Sequence, residues 1–323
     1  MVSVKCYFCR YSMPLKIIRQ GEEFNEPRPV VVTTGTFDGV HLGHGKILGR
    51  LRERALQYGG VSVVISFDPH PRRVLFPDAE PVALLSSLRE KQHLLEGQGV
   101  DYLYLIPFTK DFSKRSSREF IEQDIVASLH PVCLVTGYDH QFGKDRQGNI
   151  KDLVIYGQEF GFAVEEIPAM DIDQVAISSS IIRKSLLSGE IAIANKYLGY
   201  SYSLRGLVED GEKLGRLLGF PTANLKIEDD FKLIPADGVY ACMAETSAGT
   251  FPCMVNIGYR PTFGGRQRKI EAHLLGFSGD LYGQELNLKF HQKIRDEKKF
   301  SGKEELIFQL ESDRLTAREI LEI

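Results

Sequence analysis

The chain has 323 residues, 43% hydrophobic and 26% charged, with 40 Lys and Arg against 43 Asp and Glu and a net charge of -3. Such a length predicts two domains, the charge balance argues against a broad basic surface for nucleic acid, and no apolar run approaches the ~18–20 residues of a membrane span. Five scattered cysteines form no disulfide framework and fit a reducing, cytoplasmic setting.

Residues 1–14 read as an N-terminal extension without the apolar core of a signal peptide. Cys6 and Cys9 make a CxxC there, but structural zinc wants a second such pair, and the other cysteines are too dispersed to supply it.

Apolar runs at 30–34, 61–67, 102–106, 132–136 and 162–167 predict strands, and the segments 43–58, 86–98, 116–129 and 153–160 carry helical spacing between them. Continuous apolar strands alternating with helices predict a parallel, doubly wound sheet whose ligands bind beyond the strands' carboxyl ends. Segments 178–187 and 190–198 read as two short helices. Beyond residue 200 the runs 239–245, 250–257, 271–277 and 284–290 are separated by turn residues, which predicts a small antiparallel barrel or sandwich. The tail 302–323 returns to helical spacing, with Leu306, Leu310 and Leu315 available to pack on that barrel.

Two loops carry the chemistry. In GTFDGVHLGH, residues 35–44, Gly35 and Gly39 allow a tight turn after the first predicted strand, and His41 and His44 share one side of the first helical turn. A helix N-terminus with unpaired N–H groups is a seat for phosphate. Zinc ligation would need a third ligand nearby, and an ordinary loop role remains the default for an isolated histidine; the joint pattern of strand, glycine turn, Phe37-Asp38, two histidines and helix favours phosphate contact.

The second loop is GLVEDGEKLGRLLGFPTANLKI, residues 206–227, in which Gly211, Gly215 and Gly219 surround Lys213 and Arg216. Such a turn can wrap a triphosphate, although it is not the GxxxxGK(S/T) loop. Thr222 and Asn224 sit two apart in an extended run and point the same way, offering hard oxygens of the kind magnesium takes.

The first half resembles the nucleotidyltransferase superfamily through its (H/T)xGH signature. FDPHP (67–71), PFTKDFSKRSSREFI (107–121), TGYDHQFGKDRQGN (136–149) and ISSSIIR (177–183) narrow it to the N-terminal module of bacterial bifunctional riboflavin kinase and FAD synthetase. The second half resembles the riboflavin kinase module through GEKLGRLLGFPTANL, DGVYA (237–241), NIGYRPTFGG (256–265) and IEAHLLGF (270–277). The resemblance implies an α/β chain: a Rossmann-like nucleotidyltransferase domain, 15–186, and a six-stranded antiparallel barrel with flanking helix, 187–323.

It also implies roles. Asp139, Phe142, Ser179 and Arg183 match positions near the nucleotide, beside Gly35, Phe37, Asp38, His41 and His44. His70 of FDPHP is a candidate contact to the flavin or its phosphate, and Arg295 and Asp296 match a flavin-binding loop; the residues alone equally allow Asp139 as a turn residue, Ser178–Ser180 as a helix cap and His70 as a loop residue between prolines. Glu271 is the implied base of the kinase, ranked above His273 on the same strand face. His140 stands where family members often carry an aromatic, and Ala176 where some carry a basic residue. The expected substrates are riboflavin, FMN and ATP with Mg2+, the products FMN and FAD, with no nucleic acid or membrane partner. A kinase whose first domain is lost or redirected, and a flavin carrier or sensor, are the alternatives. Phosphate and metal groups, which a carrier does not need, argue against the last.

Overall fold

The computed structural model describes residues 14–76, 83–138, 140–168, 177–210, 215, 218–262 and 265–323. The expected features at Cys6, Cys9, Asp139, Ala176, Gly211, Lys213 and Arg216 lie outside the described residues. Two compact units divide the chain: one of residues 1–82 and 86–177, the other of residues 83–85 and 178–323.

In the first unit six strands, β1 (Lys16–Arg19), β2 (Val30–Thr34), β3 (Val61–Phe67), β4 (Tyr102–Ile106), β5 (Pro131–Gly137) and β6 (Ala163–Ile167), form one parallel sheet in the order β1-β4-β3-β2-β5-β6. Side chains alternate between its faces. Val30 and Val32 enter a core with Ile65 and Leu134, while Val31 enters another with Val64, Leu103 and Val135. A sheet buried on both faces explains why its strands read as unbroken apolar runs. The chain steps outward from β2 through β3 to β4, then returns to β5 on the other side of β2. That reversal opens a crevice beyond the carboxyl ends of β2 and β5, the place where such sheets bind ligands.

Helix α1 (Leu42–Gln57) follows β2, and the short α2 (Pro71–Leu75) and α3 (Leu88–Gly97) lie between β3 and β4 in the chain. The segment expected as one helix over 116–129 instead contains a π-helical stretch, Phe120–Val126. Its buried Asp124 accepts from Gln20 at 2.5 Å and from Arg115.

In the second unit Ser178 caps the helix Ser179–Leu187, a second helix spans Ile191–Leu198, and six strands close into an antiparallel barrel, β10-β11-β8-β7-β12-β9. These are β7 (Ser203–Glu209), β8 (Ala223–Ile227), β9 (Gly238–Thr246), β10 (Gly249–Thr262), β11 (Gly265–Leu274) and β12 (Glu285–Arg295). Leu286, Leu288 and Phe290 alternate into the interior along β12. Cys242 and Cys253 face each other across β9 and β10, both fully buried, and Cys133 is buried on β5 of the first unit.

The final helix, Lys303–Ile320, corrects one expectation. Leu310 packs against the apolar cluster of Phe220, Ala241, Met254 and Ala317, but Leu315 is 61% exposed. At 3.6 residues per turn Leu315 lies roughly 140° around the helix from Leu310. The packed stripe runs through Leu310, Asp313 and Ala317, and so includes a carboxylate.

Candidate active sites

In the first unit the loop from Gly35 to His41 joins β2 to α1. Phe37, Gly39 and Val40 adopt φ of 46, 77 and 36°, the left-handed region that a β-branched residue such as Val40 seldom enters. Strain of this kind, on the order of 1–3 kcal/mol per residue, concentrates at functional sites. Gly35 has room for no side chain without crowding: a Cβ there would meet the ring of Phe37 at 3.1 Å. Phe37 in turn is 2% exposed and lies against His44, ring centroids 5.1 Å apart.

His41 caps α1, its Nδ1 accepting the backbone N–H of His44 at 3.4 Å. The two imidazoles stack, centroids 3.7 Å apart and planes within 16°. In a neutral His41 an accepting Nδ1 leaves the proton on Nε2, a donor. Burial, with the charges of His41 and Lys91, pushes His44 well below the ordinary histidine value. A neutral, weakly basic imidazole suits hydrogen bonding to phosphate better than proton abstraction.

Asp38, 2% exposed, braces the loop: its Oδ1 accepts the Ser86 N–H at 3.2 Å, and the Gly39 N–H donates to Ser86 Oγ at 3.0 Å. Nothing in its own heptapeptide announces Ser86 as a partner, which is why sequence reasoning passed it over. His70 caps α2, accepting the Arg72 N–H at 3.2 Å, and is 8% exposed. The ring of His140 lies parallel to Phe142, 5.6 Å apart and within 17°, as an aromatic residue would. Ser179 and Arg183 fall on the first helix of the second unit, where Arg183 Nε donates to the Ala83 carbonyl at 2.9 Å.

In the second unit one cavity of about 310 Å³ brings together Gly215, Thr222, Asn224, Glu271 and Arg295. Neighbouring strands set the positions: Asn224 of β8 and Asn256 of β10 are the register partners of Glu271 on β11. Along β11, Ile270, Ala272 and Leu274 are buried while Glu271 and His273 turn to the cavity, the period of two expected of a strand. Gly215 allows a close approach, since a Cβ there would lie 2.2 Å from the Phe220 carbonyl oxygen.

His273 Nδ1 lies 2.7 Å from the Pro221 carbonyl oxygen, so that nitrogen carries the proton, and burial lowers the ring's pKa. Burial outweighs the opposing Pro221 hydrogen bond, and the lowered pKa makes His273 a weaker base. Arg295 lines the cavity with its guanidinium on Asp313, a residue the sequence reading missed. Asp296 is not brought to the cavity: its side chain is 87% exposed and accepts from Lys293 at 2.6 Å. The signal for Asp313 was its place in the apolar stripe of an amphipathic helix, where a carboxylate needs a buried partner.

One group of residues lies at the switch point of a parallel sheet and another lines a cavity in the wall of a closed barrel, and each falls in a unit that matches a different family model. The family model for FAD synthetase matches residues 23–181, and that for riboflavin kinase matches residues 198–321. The bifunctional riboflavin kinase/FMN adenylyltransferase of Listeria monocytogenes is 39% identical over 289 residues, 89% of this chain and 91% of that one. Its counterpart from Bacillus subtilis is 37% identical over 292 residues, 89% and 91% of the two chains. The chain belongs to the family of bifunctional riboflavin kinase/FMN adenylyltransferases.

A crystal structure described as a macrolide-efflux protein from Streptococcus pneumoniae superposes with a TM-score of 0.85 at 30% identity, covering 95% of this chain and 99% of that one. Among the described residues here, no helix is long and apolar enough to cross a membrane.

Proposed function

We propose that the barrel unit phosphorylates riboflavin with ATP, giving FMN and ADP, and that the parallel-sheet unit transfers AMP from a second ATP to FMN, giving FAD and pyrophosphate. The two activities are assigned to residues 187–323 and 15–186, in a cytoplasmic enzyme. The observation that carries the reading is the single cavity that gathers Thr222, Asn224 and Glu271 from β8, β11 and the turn before β8.

In the kinase step the attacking group is a neutral alcohol, and Glu271 accepts its proton as the oxygen bonds to the γ-phosphorus of ATP and ADP leaves. Thr222 and Asn224 offer a hydroxyl and an amide oxygen from one face of the cavity, a donor set that fits Mg2+ sharing the rest of its sphere with phosphates and water. Mg2+ held there would neutralise triphosphate charge.

In the adenylylation step the nucleophile is a phosphate already largely dianionic at neutral pH, so no base is required. His41 and His44 hold the triphosphate at the start of α1 and stabilise charge as pyrophosphate departs. The weak basicity of His44 supports that division of labour.

The test is a time course with riboflavin, ATP and Mg2+, the flavins resolved by chromatography. FMN followed by FAD is expected, with neither formed when Mg2+ is chelated. FMN without FAD overturns the adenylyltransferase assignment, and unchanged riboflavin overturns the kinase.

A further inference from the structure

Lys91 is a lysine in the wrong place for a surface helix. It lies on α3 and is 6% exposed, on the same buried stripe as Leu95. Lysine is almost never this buried without a partner. Among the described residues the one hydrogen bond its ammonium makes is to Ser66 Oγ, at 3.4 Å. Ser66 is itself fully buried at the end of β3, and its hydroxyl donates to the Thr36 carbonyl at 3.3 Å, inside the loop that leads to His41. A relay therefore runs from the Lys91 ammonium through Ser66 to the backbone of that loop.

Charge gives the relay its purpose. Burial lowers the pKa of Lys91, and the carboxylates of Asp38, inside the loop, and Asp68, which follows β3, oppose that shift and favour the ammonium; Lys91 in turn acts on His44. Two carboxylates beside a triphosphate site would repel the ligand unless compensated, and in a poorly solvated pocket the repulsion is little screened. An ammonium with three donors, one of them engaged, compensates both.

We propose that Lys91 is a positioning residue for adenylyl transfer: its buried ammonium neutralises Asp38 and Asp68 and, through Ser66, fixes the Thr36 carbonyl, so that the loop presents its N–H groups and histidines to the ATP phosphates. The proposal rests on the assignment of that loop to ATP. Its effect falls on ATP binding rather than on the bond-making step, and it requires positive charge rather than side-chain bulk.

The test uses the full chain with FMN supplied, measuring KM for ATP and kcat of FAD formation, and the riboflavin kinase rate in the same preparation. Lys91→Met is expected to raise KM for ATP at least tenfold with a smaller change in kcat, Lys91→Arg to recover most of the loss, and both to leave the kinase rate as in wild type. Ser66→Ala, which cuts the relay and keeps the charge, is expected to raise KM by a few-fold. Should Lys91→Met fail to fold by thermal melt, Lys91→Gln carries the same comparison.

An unchanged KM in the neutral variant, or an Lys91→Arg protein as impaired as Lys91→Met, overturns the proposal. Failure of the underlying assignment is seen separately, as undiminished FAD formation by His44→Ala.

Discussion

Asp313 holds the guanidinium of Arg295 through both of its oxygens, Nε lying 3.0 Å from each and Nη2 2.7 Å from Oδ2. Gln309 Nε2 donates to the same carboxylate at 2.8 Å, and Asp313 is 1% exposed. Arg295 Nη1 also donates to the Asp296 carbonyl at 2.9 Å, so the pair fixes the segment leaving β12 against the final helix. Removing one member of a buried pair strands the other charge, which costs about 3–5 kcal/mol. Asp313→Ala is therefore expected to lower the unfolding free energy of the barrel unit by about 3–5 kcal/mol, seen as a lower denaturant midpoint, and to raise KM for riboflavin. Denaturant titration and kinase kinetics check both.

For the first site, loss of one positioned donor from a charge-stabilising site reduces kcat by about 10²–10³. His44→Ala is expected to lower FAD formation by at least that factor while FMN still accumulates from riboflavin. Chromatography of the two flavins reads both rates in one reaction.

The role proposed for Glu271 is that of base to an alcohol nucleophile, and general-base contributions are about 10²–10⁴. Glu271→Gln, similar in shape to the carboxylate, is expected to lose FMN formation by a factor in that range. The same protein supplied with FMN should make FAD at the wild-type rate, because Glu271 and the His41–His44 pair belong to different units. Loss of both activities would contradict two independent sites.

Acid sensitivity in the first unit follows from Glu26. Its carboxylate bonds Arg28 at 2.7 and 2.9 Å and accepts the Tyr102 hydroxyl at 2.6 Å, and the Arg28 hydrogen bond leads in lowering its pKa from 4.5 to about 2. A carboxylate depressed on folding contributes stability that is complete above pH 4.5 and lost as pH falls through about 2. Wild type should thus exceed Glu26→Gln in urea resistance at pH 6, and the gap should close towards pH 2.5.

The turn, the histidine pair and the helix start of the loop before α1 were legible because they lie within ten residues of one another. The parallel sheet was legible because strands buried on both faces leave continuous apolar runs. Lys91, Ser86 and Asp313 were not, since each gains its meaning from a partner far along the chain: Ser66, Asp38 and Arg295. The π-helical stretch escaped because Phe120, Ile121 and Ile125 satisfy helical spacing at that resolution of pattern. Leu315 misled for a related reason, as apolar character alone does not say which side of a helix faces the barrel.

The cysteines give this chain a pair of internal clocks. Cys133 lies in one unit and Cys242 with Cys253 in the other, all buried, and burial together with the Cys253 hydrogen bond pushes the Cys242 thiol well above its usual value. A thiol so placed reacts with an alkylating reagent only when its surroundings open. With Cys6 and Cys9 replaced by serine, the labelling rate at Cys133 times the opening of the adenylyltransferase half, and that at Cys242 and Cys253 times the opening of the kinase half. The separate lifetimes of the two halves become measurable in one intact chain, without cutting it.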